Sequence, residues 1–133
     1  MAAKQVICDT DVVIDYLDAS QCRHLQTKEI FEDKIRLNNV VLSGITQIEL
    51  MLVALNKQDL VKIKKSIFRF IIILVNEDIN TKASSLIEKY ALRHGQALPD
   101  SLIAATGIVP DLELFTYNIK DYKFISELNL FKS

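Results

Sequence analysis

The chain has 133 residues, 50% of them hydrophobic and 25% charged, with a formal net charge of −1 and a pI near 6.1. That length and balance describe a single domain over residues 1–133 with a substantial core. They exclude a protein held on nucleic acid by a general basic field, and with 3 Gly and 2 Pro no stretch reads as a linker or disordered tail.

Residues 5–9 are an apolar run ending in Asp9, the pattern of a strand buried on both faces. Residues 11–19 follow as a helix with Val12, Val13, Tyr16 and Leu17 as its apolar set. A second helix covers residues 24–37, with Ile30, Phe31 and Ile35 inward. After an Asn38-Asn39 turn, residues 40–42 form a short strand. Thr46 caps the next helix in a box with Glu49, and this helix runs to residue 56. Asp59 caps a helix with Leu60, Ile63, Ile67 and Phe70 at helical spacing, its outer face carrying Lys62, Lys65 and Arg69. That basic stripe reads first as a solvated face. Residues 71–75 are a third strand. Asp78 or Asn80 starts a long helix with Ala83, Leu86, Ile87, Tyr90 and Ala91 on one face, closed by Gly95. Pro99 opens a helix to residue 107. Residues 112–115 are a fourth strand, 121–125 a helical turn, and 128–131 a final edge strand.

Strands alternate with helices and the strand runs are uniformly apolar. The pattern predicts an α/β fold of three layers, helices on both faces of a central, mostly parallel sheet of four or five strands. Ligands in such sheets bind at the carboxyl ends of the strands. Asp9 stands at one such end, and the segment after Phe115 leads from another.

Cys8 and Cys22 have neither zinc nor redox spacing and read as a core hydrophobe and a surface thiol. His24 and His94 sit near helix ends and are not read as catalysts. Met1 to Gln5 lead straight into a strand with no secretory signal. The longest apolar run, residues 70–75, is too short to span a bilayer. The expectation is a cytoplasmic protein with no membrane contact.

Four acidic residues carry the chemistry. Asp9 ends the first strand, Glu49 borders an apolar stripe of Ile45, Ile48, Leu52 and Leu55, Asp100 follows Pro99, and Asp121 follows the fourth strand. A carboxylate beside an apolar face needs a partner or a cation. Converged carboxylates repel, so a hard oxygen-ligated ion, Mg²⁺ or Mn²⁺, is the economical reading. Taken singly, Asp100 also fits a helix N-terminal carboxylate and Glu49 a capping residue.

The segment CDTDVVIDYL at residues 8–17 resembles the opening motif of PIN-domain ribonucleases, in which an Asp ends the first strand. SGITQIELM at 43–51 is similar to the second family motif, PDSLIAAT at 99–106 to the third, and FTYNIKDY at 115–122 to the fourth. The order and spacing match over nearly the whole chain, and the small size resembles the VapC toxins of toxin–antitoxin pairs. The resemblance implies a metal-dependent endoribonuclease with Asp9, Glu49, Asp100 and Asp121 as its catalytic carboxylates. Asp121 or Asn118 would give the fourth metal contact, directly or through water. Thr116 and Ser43 would be supporting hydroxyls near the substrate, and Lys120 a contact to it. It also implies an RNA substrate, an antitoxin partner and a homodimer formed through apolar faces of the helices at 45–55 and 60–70.

Two positions depart from the family pattern. Asp11 stands where Asn is common; it adds a negative charge, or caps the first helix. Tyr117 stands where a basic residue is frequent; it removes a phosphate contact and offers base stacking instead. RNA binding would then lean on Lys120, Lys123 or the stripe Lys62, Lys65 and Arg69. Two other readings compete. Asp9-Thr10-Asp11 also fits the acidic opening of HAD-type phosphatases, which leaves Glu49 and residues 99–106 unexplained. A non-catalytic RNA- or protein-binding domain with a relic pocket is the second.

Overall fold

Four short strands, β1 (Val6–Cys8), β2 (Val40–Ser43), β3 (Ile71–Ile73) and β4 (Glu113–Phe115), form one sheet in the order β3-β2-β1-β4 in a computed structural model that describes residues 4–133. All three pairings are parallel, as the apolar strand runs predict. The expected edge strand at 128–131 is reduced to a bridge, with Leu114 N donating to Asn129 O at 2.9 Å and Phe131 N to Leu114 O at 2.8 Å.

The helices are α1 (Thr10–Leu17), α2 (His24–Glu29), α3 (Gly44–Leu52), α4 (Lys57–Ile67), α5 (Glu77–His94) and α6 (Leu98–Ile108). After Glu29 the chain continues as π-helix through Ile30–Ile35, so the long second helix expected at 24–37 is present with a changed pitch. Strand alternation divides the core in two. Val6, Cys8, Val40, Leu42 and Phe115 face one layer with Val12, Phe31, Leu50 and Phe70. Ile7, Val41 and Leu114 face the other, with Leu86 and Tyr90 of α5 and Ile103 of α6. Gly107 lets α6 lie close on the sheet: a Cβ there would come within 3.3 Å of Ile7 Cγ2 and of Leu128 Cδ1. Among the described residues no helix is long and apolar enough to cross a membrane.

Several expected caps move by a few residues. Asp9, not Asp11, caps α1; Ser43, not Thr46, caps α3; Asn56, not Asp59, caps α4; and Asn76, not Asp78 or Asn80, caps α5. At Asp9 and Ser43 the cause is the absence of a loop: the strand runs straight into the helix, so the residue at the strand's end must accept from the first free N–H groups.

The apolar stripe of α3 is also corrected. Ile48, Leu52 and Leu55 are 55%, 79% and 90% exposed. The helix ends at Leu52 rather than running to residue 56, so Leu55 lies beyond it, and its buried side is Gly44, Thr46 and Leu50. Apolar residues occur almost all round this helix, so periodicity alone cannot choose its inner face. Its rotation is set by the tight Ser43 junction instead.

Candidate functional site

β1 and β4 pair with Cys8 opposite Phe115, so the next residues, Asp9 and Thr116, emerge side by side at the carboxyl edge of the sheet. Thr116 Oγ1 donates to Asp9 Oδ2 at 2.9 Å. Asp9 Oδ1 accepts the backbone N–H of Thr10 at 2.8 Å, which caps α1. Asp9 is therefore buried and held from two sides by a strand end and a helix start.

Glu49 reaches the same corner from α3. Thr10 Oγ1 lies 2.6 Å from Glu49 Oε1 and 3.0 Å from Thr46 Oγ1. A carboxylate only accepts, so the single Thr10 proton goes to Glu49 and Thr46 donates to Thr10. Asp100 arrives in the first turn of α6. The hydroxyl of Tyr122 lies 3.2 Å from Asp100 Oδ1 and 3.3 Å from Asp9 Oδ1. Asn118 joins the cluster through Thr116 and Asp11, its backbone N–H donating to Thr116 Oγ1 at 3.0 Å and its side-chain Nδ2 to Asp11 Oδ2 at 3.1 Å. Asp121 is half-buried in the turn Ile119–Asp121, and its charge acts on Asp100.

The electrostatics follow from this gathering. Burial, with help from the charges of Asp11 and Asp100 and against the Thr116 hydrogen bond, pushes Asp9 from 3.8 up to about 6. Asp100 is also raised, first by burial and then, against its Tyr122 hydrogen bond, by Asp121, Glu49 and Asp11. The Tyr122 hydroxyl is pushed far above its ordinary value by burial and by the two carboxylates it touches. The one ion pair among the described residues, Lys82 to Glu127, joins α5 to the carboxy-terminal segment and involves none of these acids.

The donor set is all oxygen, with no imidazole in it, and this suits a hard cation. Among the described residues no three acidic, His or Cys side chains are gathered tightly enough to ligate one ion together. A hard ion bound here would take one or two carboxylates directly and keep several waters.

The structure thus brings Asp9, Glu49, Asp100, Asp121, Asn118 and Thr116 into one region. Ser43 is fully buried, its hydroxyl accepting from Ile45 N at 3.2 Å and lying 3.2 Å from Thr106 Oγ1, whose own proton goes to Leu102 O at 2.7 Å, so it supports the helix junctions and is closed to a substrate. Lys120 is exposed beside Asp121.

Sequence reasoning missed Tyr122 and Thr10 as members of this cluster. Both lie inside the quoted motifs, but only their burial and contacts distinguish them from the residues around them. It also missed Arg23, whose guanidinium lies 4.5 Å from the centre of the Tyr117 ring. That ring packs on Phe115, and its hydroxyl bonds Thr27 at 2.8 Å, so a positive charge covers one face of the ring expected to stack on bases.

The basic stripe lies elsewhere. Lys62 lines a groove with Leu17 at the far end of α1, an eight-residue helix, and ~12 Å separates the ends of such a helix. Neither histidine touches the acids: His24 Nδ1 pairs with Asp15 O at 2.9 Å, and His94 stacks on Phe124 at 4.0 Å. An apolar cleft of about 570 Å³, lined by Gln47, Lys64, Phe68 and Phe70 among others, holds no acid and offers no comparable chemistry.

This chain belongs to the PIN-domain family, whose domain matches residues 6–124. That match removes the HAD-type phosphatase reading. Among solved structures, the chain is similar to a protein of a toxin–antitoxin complex from Klebsiella pneumoniae, at 27% identity and a TM-score of 0.74, covering 93% of this chain and 95% of that one. It shares its fold with FitAcB from Neisseria gonorrhoeae, at 24% identity and a TM-score of 0.71 over 96% of this chain and 97% of that one. The fold is shared too with a sarcin–ricin-loop-cleaving toxin of Mycobacterium tuberculosis, at 14% identity and a TM-score of 0.68 over 94% of this chain and 99% of that one. A comparison with curated proteins finds no match.

Proposed function

We propose that this PIN domain is a Mg²⁺- or Mn²⁺-dependent endoribonuclease that hydrolyses RNA phosphodiester bonds in the cytoplasm, as the toxin of a type II toxin–antitoxin pair. The observation that carries this reading is the meeting of Asp9 and Asp100 on one buried hydroxyl, with Glu49 tied to the same corner through Thr10. Of Asp9, Glu49 and Asp100, one or two would bind the ion directly and the rest through its waters, with Asp121 or Asn118 completing the shell through water. When bound, a divalent ion supplies a more acidic water and charge compensation at the phosphoryl oxygens.

The chain's own groups do the positioning. Thr116 and the Thr10 N–H fix the Asp9 carboxyl. Thr10 takes Oε1 of Glu49 and Tyr122 takes Oδ1 of Asp100, which leaves Oε2 and Oδ2 for the ion or its waters. Lys120, next to Asp121 in sequence, and Arg23, over the Tyr117 ring, would meet RNA phosphates.

The toxin reading is supported by the likeness to the Klebsiella pneumoniae toxin–antitoxin complex over almost the full length of both chains. An antitoxin would bring a basic side chain to the unpaired acids. A homodimer is supported by the outward Ile48, Leu52 and Phe68 of α3 and the end of α4.

The test is incubation with total RNA, with and without Mg²⁺ or Mn²⁺, beside the Asp9→Asn variant. Metal-dependent cleavage lost in the variant is expected. Intact tRNA, rRNA and mRNA in every arm would sink the enzyme and leave a non-catalytic binding domain. Growth arrest on expression, relieved by a co-expressed neighbouring gene, tests the toxin role separately.

A further inference from the structure

We propose that Tyr122 is a positioning residue, a rigid buried donor that holds the carboxyl groups of Asp9 and Asp100 together for a divalent ion. This rests on the metal-site reading above. The ring is 1% exposed and belongs to the core layer that includes Ile79, Ile103 and Ile125. Its backbone is pinned on both sides, Tyr122 N donating to Ile119 O at 3.1 Å and accepting at its carbonyl from Ile125 N at 3.0 Å. A phenol has few rotatable bonds, so a ring packed this way fixes its oxygen as one point in space. Two shorter and more flexible carboxyl side chains, 91 residues apart in sequence, are gathered on that point.

The distances fit sharing. At 3.3 and 3.2 Å both contacts exceed the usual 2.7–2.8 Å of a hydroxyl bond. A hydroxyl has one proton, and two carboxylates that both demand it draw it between them. Core filling alone does not account for the oxygen. Phe would fill the same space, and a buried hydroxyl is tolerated only when paired. Here its partners are two acids that otherwise repel. Each bond takes a single oxygen of its carboxyl, so the hydroxyl restrains the pair without consuming Oδ2 of Asp100. Removing it lets the carboxyls separate, and loss of a group that orients ligands typically costs about tenfold in metal affinity.

The test is calorimetric titration of the wild type and Tyr122→Phe with Mn²⁺, at about pH 7.5, with circular dichroism and thermal unfolding of each. The expected result is an unchanged fold and roughly tenfold weaker Mn²⁺ binding in the variant. Equal affinity in the two proteins overturns the positioning role, even if Tyr122→Phe unfolds at a lower temperature. Absence of Mn²⁺ binding to the wild type overturns the metal site itself, a failure distinguishable from the first. A cycle with Asp100→Asn guards against a poorly folded single variant. The hydroxyl acts by joining the Asp100 carboxylate to that of Asp9, so Tyr122→Phe should cost less affinity where Asp100 has already lost its charge. Full additivity overturns the proposal.

Discussion

Thr10 and Glu49, 39 residues apart in sequence, meet at 2.6 Å, and through this bond the first helix aims a carboxylate carried by the third. Thr46 completes the contact from behind. Removing the hydroxyl frees Glu49 and leaves Thr46 buried without its partner. Thr10→Val should cost ~1–2 kcal/mol of stability and at least ~10-fold in metal-dependent cleavage. Thr10→Ser should recover most of both. Equal cleavage by wild type and Thr10→Val would separate this bond from function.

Asp9 is carried at about 6, above its ordinary 3.8, so the folded state holds its proton more tightly than the unfolded chain does. Stability is therefore greatest below the lower value and falls as pH rises between the two. The interval corresponds to ~3 kcal/mol. The metal-free protein should melt at a higher temperature near pH 5 than near pH 7.5, apart from other titrations. Added Mg²⁺ should stabilise it more at the higher pH, where Asp9 is ionised. A thermal-shift series with and without Mg²⁺ measures both, and a metal-free melting temperature that climbs over this interval contradicts the assignment.

Asp9→Asn separates charge from cap, because Asn also caps helices well. The variant should lose cleavage while its metal-free form gains ~1–3 kcal/mol at neutral pH, by removal of a buried charge. Denaturant unfolding of the two proteins gives the comparison. A destabilised Asp9→Asn would mean that the hydrogen bonds from Thr116 and Thr10 outweigh burial.

Arg23 restores positive charge beside Tyr117, where the sequence lacks the common basic residue. In a cleavage-inactive Asp9→Asn background, Arg23→Ala should weaken RNA binding and reduce the salt slope by about 1. Lys62→Ala, a helix length away, should leave both unchanged. The reverse ranking in a filter-binding titration would return RNA recognition to the basic stripe.

Leu52 points outward from α3 and is 79% exposed. If α3 and α4 form the homodimer face, Leu52→Glu should give a monomer by light scattering with unchanged thermal unfolding at low concentration. A wild type that is monomeric at high concentration defeats this interface.

The sequence by itself determined the layer architecture. Apolar strand runs separated by helical periods admit little besides a parallel sheet covered on both faces, and the alternation of Val6, Ile7 and Cys8 assigns each to its layer. It also singled out Asp9 and Glu49, because a charge at a buried strand's end or beside an apolar helix face is costly without a purpose, while Asp100 and Asp121 stood out only through the resemblance of their motifs to the family. Tertiary structure decided the rest. The inner face of α3 was illegible because its apolar residues surround the helix, and the Ser43 junction sets its rotation. The identity of the caps depended on how directly each strand enters its helix. The four carboxylates are a pattern of spacing in the sequence, but what holds three of them, Asp9, Glu49 and Asp100, is a set of hydroxyls from Thr10, Thr116 and Tyr122. Those bonds join residues up to 113 positions apart. No local pattern encodes such contacts, because they exist only once the sheet register and the packing of α6 bring the chain ends together.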